Sequence, residues 1–350
     1  MQTKYQMILD EYHQRLASFK ALEKIVDSTL TDIVKSSDLH IYTIAHRIKE
    51  ENSLAGKLKR KGDKYSSLSD ITDILGARIV CYFFDEVDKL TQLISSRFSV
   101  DEEESIDKRK MLDFNMFGYL SVHYICTLRS DTDCPEELKT IRFEIQMCSL
   151  MQHIWAVLEH DLGYKTRYGV PSTVKREFSR LAGLFEIADE HVVQIRDKVN
   201  AYTNLVKTKI LNGDSSDILL DSVSLDEFMC NNKNILSFLA VIGNICGADI
   251  VHEKSDNYLR QLAWLKIRTL GDLQSMLERN YSFALQLVEK RLAMAELDIF
   301  SSTIALRFLC QAQLILGDYK KEEIVEFFML SMRSRKLAEK RADFILSLRE

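Results

Sequence analysis

The chain has 350 residues, 46% hydrophobic and 28% charged, with two prolines and twelve glycines, a balance that excludes disordered or low-complexity protein and describes a mainly helical globular one of one large or two medium domains. Its formal net charge of −5 provides no overall attraction to nucleic acid or an anionic membrane, so a polyanion site has to come from a local basic cluster. No apolar run is long enough to span a bilayer and the opening MQTKYQMILDEYHQRL is amphipathic and charged, unlike a signal peptide, so a cytoplasmic protein with no membrane partner is expected.

In chain order, apolar residues recur at three and four from residue 5 to about 36, the pattern of a long amphipathic helix. LHIYTIAHRIK reads as a short extended piece, ENSLAGKLKRKGD as a basic helix ending at Gly62, and SLSDITDIL as a helical turn with Ser69 or Asp70 near its start. ARIVCYFF is a strand, EVDKLTQLISSRF a helix and FSVDEEES an acidic edge strand. YLSVHYICTL and TIRFEIQMC are further strands joined through the turn-rich SDTDCPEE. In the second of these, Ile141, Phe143, Ile145 and Met147 alternate with Arg142, Glu144, Gln146 and Cys148, so one face is buried and the other polar; alone, that polar face reads as solvated. SLMQHIWAVLEHDLGYK is again a helix.

The first part, 1–211, is therefore expected to be α+β, with a mixed β-sheet of about five strands flanked by helices. From 172 onward the strand signal nearly vanishes. NGDSSD at 212–217 is the linker candidate, and 212–350 is expected to form an α-helical domain. Within it, LAWLKIRTLGDLQSML resembles a nucleic-acid-binding helical hairpin, although two packed helices with a glycine turn explain it more simply. Seven widely spaced cysteines (Cys81, Cys126, Cys134, Cys148, Cys230, Cys246, Cys310) without a CxxC pair read as free thiols, and His153 and His160 as structural histidines, not zinc ligands.

Four segments concentrate polar groups suited to phosphate chemistry. RIKEENSLAGKLKRKG packs Arg47, Lys49, Ser53, Lys57, Lys59, Arg60 and Lys61 together, and Ser53, Lys57 and Lys61 share one face of the expected helix. Such cations can neutralise a polyphosphate, yet a charge run by itself is more often a solvated face. Asp73 lies just before a strand and Arg78 near its start; a carboxylate at that junction can hold magnesium, or simply cap a helix. Tyr119, Ser121 and His123 share a strand face that can stack a base and hold a sugar or phosphate, and are also common on half-exposed strands. Glu144 and Gln146 form the fourth group.

In this order, Arg47-x-Lys49-x3-Ser53-x3-Lys57, Asp73-x2-Gly76-x-Arg78, Gly118-Tyr119-x-Ser121-x-His123 and Glu144-Ile145-Gln146 resemble the synthetase domain of the RelA/SpoT family. WAVLEHDLGYK looks like an element of its small stand-alone members, and the resemblance spans roughly residues 5 to 205. It implies a nucleotidyltransferase-like fold and transfer of the β,γ-pyrophosphate of ATP to the 3′-hydroxyl of GDP or GTP, making (p)ppGpp and releasing AMP. By the same resemblance, Arg47, Lys49, Ser53, Lys57 and Arg78 bind ATP. Asp73 and Glu144 bind Mg2+, with Glu144 the candidate base, while Lys108, Tyr119, His123 and Gln146 serve the acceptor.

The chain departs from the family at Cys148, where an arginine is usual, and at Asn115-Met116-Phe117, where the family carries K-x-N before its G-Y. The altered acceptor loop and the C-terminal helices motivate a second reading, transfer to another acceptor, an adenine nucleotide or the 3′ end of tRNA; a third, since a fold does not guarantee activity, is a catalytically weak nucleotide- or RNA-binding regulator. Hydrolase activity is not expected. Regulation, homo-oligomerisation and delivery of a macromolecular acceptor are the roles open to the helical region.

Overall fold

The computed structural model describes residues 4–61, 64–111, 117–118, 120–163, 171–292 and 298–349, and divides into two compact units, Met1–Arg196 and Asp197–Glu350. The boundary falls inside one continuous helix, Ser172–Asn212, ahead of the polar NGDSSD stretch.

In the first unit, helix α1 (Lys4–Lys35) buries Ile8, Tyr12, Phe19, Leu22, Val26, Leu30 and Ile33, the apolar side of its helical period. Strand β1 (Ile41–Ile48) and the basic helix α2 (Glu51–Lys61) follow, then β2 (Leu75–Cys81), α3 (Glu86–Arg97), β3 (Phe98–Asp107), β4 (Val122–Leu128), the short α4 (Glu136–Lys139), β5 (Phe143–Ser149) and α5 (Leu150–Leu158). The five strands form one sheet in the order β1-β2-β5-β4-β3. β2 and β5 are parallel, and the other pairs are antiparallel. LHIYTIAHRIK is thus a full edge strand, and the turn expected in SLSDITDIL is a short 3-10 turn at Leu68–Asp70.

The alternation in β2 and β5 has a direct cause. Ala77, Ile79, Phe143, Ile145 and Met147 point into a core shared with α1 and α3, whereas Gly76, Arg78, Glu144 and Gln146 are partly exposed on the other face. That polar face ends at Gln146. Val80 and Cys148, paired in register on the same parity, are buried at 0% and 1% exposure, where α5 packs against β2 and β5. Cys148 therefore does not extend the polar face beyond Gln146, as its position in the alternation had implied.

After the helix α6 (Ser172–Asn212), in which the boundary falls, the second unit runs through α7 (Ser222–Asn231), α8 (Lys233–Cys246), α9 (Leu259–Trp264), α10 (Leu270–Leu292), α11 (Ile304–Leu316), α12 (Lys321–Met329) and α13 (Arg335–Ser347). A two-stranded parallel ladder, β6 (Asp249–Val251) with β7 (Ile299–Ser301), interrupts the helices. α8 closes on Gly247 at φ +64, the left-handed conformation that glycine adopts without steric cost. Leu262, Leu265, Ile267, Leu270 and Leu273 of the suspected hairpin are buried in the core of this unit, the arrangement of two packed helices. Among the described residues no helix is long and apolar enough to cross a membrane. All seven cysteines are free; Cys81, Cys126, Cys148 and Cys310 are buried and Cys230 is exposed.

Candidate functional site

The polar sheet face is ordered by strand register. Arg47 of β1 lies opposite Gly76 of β2, and Gly76 opposite Glu144 of β5. One step along, Arg78 lies opposite Gln146, and Gln146 opposite His123 of β4. Because side chains repeat every second residue, all of these share one face. Gly76 leaves a gap between Arg47 and Glu144, and a Cβ added there would meet nothing within 4 Å.

Two hydrogen-bonded clusters sit on this frame. In the first, Asp73 accepts from Lys49 at one carboxylate oxygen and from Lys57 Nζ at the other, the latter at 2.8 Å. The Lys49 backbone is fixed from both sides: its N–H donates to the Ile74 carbonyl at 2.7 Å, and its own carbonyl accepts from the Tyr12 hydroxyl at 2.9 Å. Lys57 is set by α2, whose buried Leu54 and Leu58 dock the helix, and its ammonium stands 5.4 Å from the Tyr65 ring centroid. Burial opposes ionisation of Asp73, but the two lysines outweigh it and hold the carboxyl below its ordinary range. Burial also lowers Lys49 despite the aspartate, whereas at Lys57 the aspartate and Tyr65 outweigh burial and raise the ammonium.

In the second cluster, His123 Nδ1 and Glu144 Oε1 are 2.7 Å apart, and His123 Nε2 lies 2.8 Å from the Ser121 hydroxyl, which is fully buried. Gln146 Nε2 donates to the second Glu144 oxygen at 2.9 Å. The Gln146 carbonyl oxygen accepts from Arg78 Nε and Nη2 at 3.2 and 2.8 Å. The result is one chain, Ser121–His123–Glu144–Gln146–Arg78, across three strands. Burial pushes Glu144 up, but His123 and then Gln146 outweigh it, so this carboxyl too lies below its ordinary range. The negative charge of Asp73 reaches Glu144, so the two clusters form one electrostatic unit.

A cleft of about 990 Å³ opens over this face, lined by Arg47, Arg78, Lys108, His123 and Gln146 among the residues expected from sequence. Its opposite wall comes from Phe117, Gly118, Trp155, Glu159, His160, Lys175 and Phe178. Ser53 lies exposed one turn before Lys57, and the remaining basic residues of α2, Lys59, Arg60 and Lys61, are exposed to solvent. Tyr119 lies outside the described residues. Sequence reasoning missed Lys175 and Phe178 of this wall. Trp155, the first residue of the WAVLEHDLGYK element, has a buried ring that donates from Nε1 to the Phe178 carbonyl at 3.3 Å. Lys175 and Phe178 do recur at helical spacing, but nothing in the sequence says that this turn of α6 faces the sheet.

Residues 46–168 match the family model described as the region found in RelA / SpoT proteins. The chain is 29% identical over 159 residues to GTP pyrophosphokinase YjbM of Bacillus subtilis (strain 168), covering 45% of this chain and 72% of YjbM. It is 24% identical over 205 residues to GTP pyrophosphokinase YwaC of the same organism, covering 55% of this chain and 94% of YwaC. Among solved structures, the small alarmone synthetase 1 from Bacillus subtilis matches with a TM-score of 0.46 and 26% identity, over 55% of this chain and 99% of that one. The residues that match the family model run from His46 to Tyr168, and so include Lys49, Asp73, Arg78, His123, Glu144 and Gln146.

Proposed function

We propose that the protein is a GTP pyrophosphokinase that transfers the β,γ-pyrophosphate of ATP to the 3′-hydroxyl of GDP or GTP, making (p)ppGpp and AMP. The observation that carries this reading is the pairing of a cation-held carboxylate, Asp73 with Lys49 and Lys57, with a second ionised carboxylate, Glu144, beneath a cleft lined by Arg47, Arg78 and Lys108. Curated relatives named GTP pyrophosphokinase support it.

In this reading Arg47 and Arg78 flank the donor base, and Lys49, Ser53 and Lys57 bind its phosphates. The acceptor lies toward Lys108, Tyr119, His123 and Gln146. The acceptor O3′ attacks the β-phosphorus, the new O3′–Pβ bond forms as the bond from Pβ to the α–β bridging oxygen breaks, and AMP leaves with that oxygen. Glu144 receives the hydroxyl proton, with His123 and Gln146 fixing its two oxygens and His123 in turn braced by Ser121. Alignment of the hydroxyl with phosphorus and neutralisation of the phosphate oxygens supply most of the acceleration.

Asp73 and Glu144 also fit a magnesium ion. Both carboxyls lie below their ordinary range, the charge of Asp73 reaches Glu144, and two ammonium groups occupy the Asp73 oxygens where a cation belongs. When bound, magnesium adds positive charge at the phosphate oxygens beyond that of the lysines. Lys49 and Lys57 then turn from Asp73 to the phosphates.

The acceptor is tested by incubating the full-length protein and labelled ATP with GDP, GTP, ATP and bulk tRNA in separate reactions. Label in a guanosine product supports the proposal. Label confined to an adenosine nucleotide or to the tRNA 3′ end assigns a different acceptor, and no transfer by folded protein rejects the activity.

A further inference from the structure

The second unit contains a cluster of positive charge that the proposed reaction does not use. Arg291 near the end of α10, Arg307 of α11, and Lys340 and Arg341 of α13 converge on a cavity of about 200 Å³. Among the described residues none of these four takes part in an ion pair with a carboxylate. Lys49 and Lys57, by contrast, share Asp73, and Arg109 is held by Asp107 and Asp88.

The cluster is built rather than adventitious. Gln311, only 5% exposed, accepts from Arg291 Nη1 at 2.8 Å, fixing that guanidinium from below. Arg291 Cζ stands 4.7 Å from the Phe344 ring centroid, and Arg341 Cζ stands 5.8 Å from that of Phe328. Ring stacking of this kind holds a guanidinium by its face and leaves its N–H edge free to donate. Burial together with the neighbouring arginines lowers the pKa of both Arg291 and Arg341. Arg341 is half-buried and Arg291, Arg307 and Lys340 are exposed at the rim; like charges brought together there repel, and an anion placed among them offsets that repulsion while accepting bidentate hydrogen bonds.

We propose that the cavity among α10, α11 and α13 is a binding site for a phosphate-bearing anion, with Arg291, Arg307 and Arg341 as its hydrogen-bond donors and Lys340 as a mobile countercharge. The volume admits one or two phosphate groups but not a whole nucleotide, so any nucleoside attached to them projects past the exposed rim at Phe344. The site does not depend on the activity assigned to the first unit, and it would give the second unit a ligand-responsive role even if that activity were wrong.

The test is calorimetric titration of the full-length protein with inorganic pyrophosphate at fixed ionic strength. A saturable event is expected that Arg307→Gln/Arg341→Gln weakens by about tenfold or more and that Lys49→Gln/Lys57→Gln leaves in place. Since the arginine substitutions relieve repulsion, that variant should melt no lower than wild type without ligand. Hydrogen exchange on the unaltered protein provides a readout free of any folding defect: pyrophosphate should protect residues 304–316 and 335–347. A parallel titration with ADP separates a free anion from a nucleotide by whichever binds more tightly. Absence of a pyrophosphate event sensitive to the arginines, absence of protection in those helices, or equal protection by chloride would each overturn the proposal.

Discussion

Lys57 Nζ donates to Asp73 Oδ1 at 2.8 Å while Lys49 holds the other oxygen, so the carboxylate and the two cations best placed for phosphate are neutralising each other. A polyphosphate must compete with Asp73 for both lysines. Asp73→Asn removes that competition, so nucleotide should bind at least as tightly as in wild type while kcat falls by about 10²–10³-fold, the usual loss when a charge-stabilising group is removed. Nucleotide titration and steady-state kinetics measured side by side check both halves.

The pH dependence follows from the same carboxylates. Asp73 and Glu144 have folded-state values below the ordinary ones. Their contribution to stability is complete above the ordinary carboxylate range of about pH 4 and is lost as pH falls through the lower folded values. Replacing His123 with alanine takes away the foremost partner lowering Glu144, so the acid limb of the kcat/KM profile should move to higher pH. A limb unchanged in His123→Ala would show that Glu144 is not the group titrating there.

Gly76 offers a steric test. A side chain at this position enters open space between Arg47 and Glu144, so Gly76→Val should leave the melting temperature close to wild type while the added methyl groups intrude on the cleft floor. Activity should fall at least about tenfold, chiefly through KM, if substrate crosses that gap. Thermal melts and a substrate titration distinguish this from misfolding.

Much of the first unit was legible because its signals are local. The alternation in FEIQMCS and the three-and-four spacing of α1 name their buried faces directly, while Lys49 meets Asp73 at the end of the antiparallel β1–β2 pair and His123 meets Glu144 across the antiparallel β4–β5 pair. What stayed hidden is tertiary. β1 buries no residue and is half exposed, so its pairing as an edge strand depends on β2 and not on its own pattern. Cys148 shares the parity of Glu144 and Gln146, yet packing by α5 buries it, and periodicity cannot report where a covering helix begins. Lys175 and Phe178 of the cleft wall escaped for the same reason, as did the arginine cavity of the second unit, whose members come from three helices.

The first unit also holds a buried acid with a stability consequence. Asp189 of α6 accepts from the Ser149 hydroxyl at 2.5 Å with one oxygen, while its other buried oxygen has no hydrogen-bond partner. Burial pushes its carboxyl up to about 6. A raised acid favours the folded state at low pH, and that advantage is lost as pH climbs from about 4 through 6. Asp189→Asn keeps an acceptor for Ser149 without the charge, so it should stabilise the unit by roughly 2–3 kcal/mol at pH 7 and by little at pH 4. Denaturant unfolding at the two pH values measures the difference.

The sheet face that holds Asp73 and Glu144 is proposed to carry out the pyrophosphoryl transfer. Its most direct test follows γ-labelled ATP with GDP or GTP in the presence of magnesium, quantifying labelled guanosine product against AMP for the wild type and for folded Asp73→Asn and Glu144→Gln. Guanosine product and AMP should appear in equal amounts with the wild type and fall at least about a hundredfold in either variant. Release of ADP and phosphate instead, or full transfer by either variant, would contradict the account.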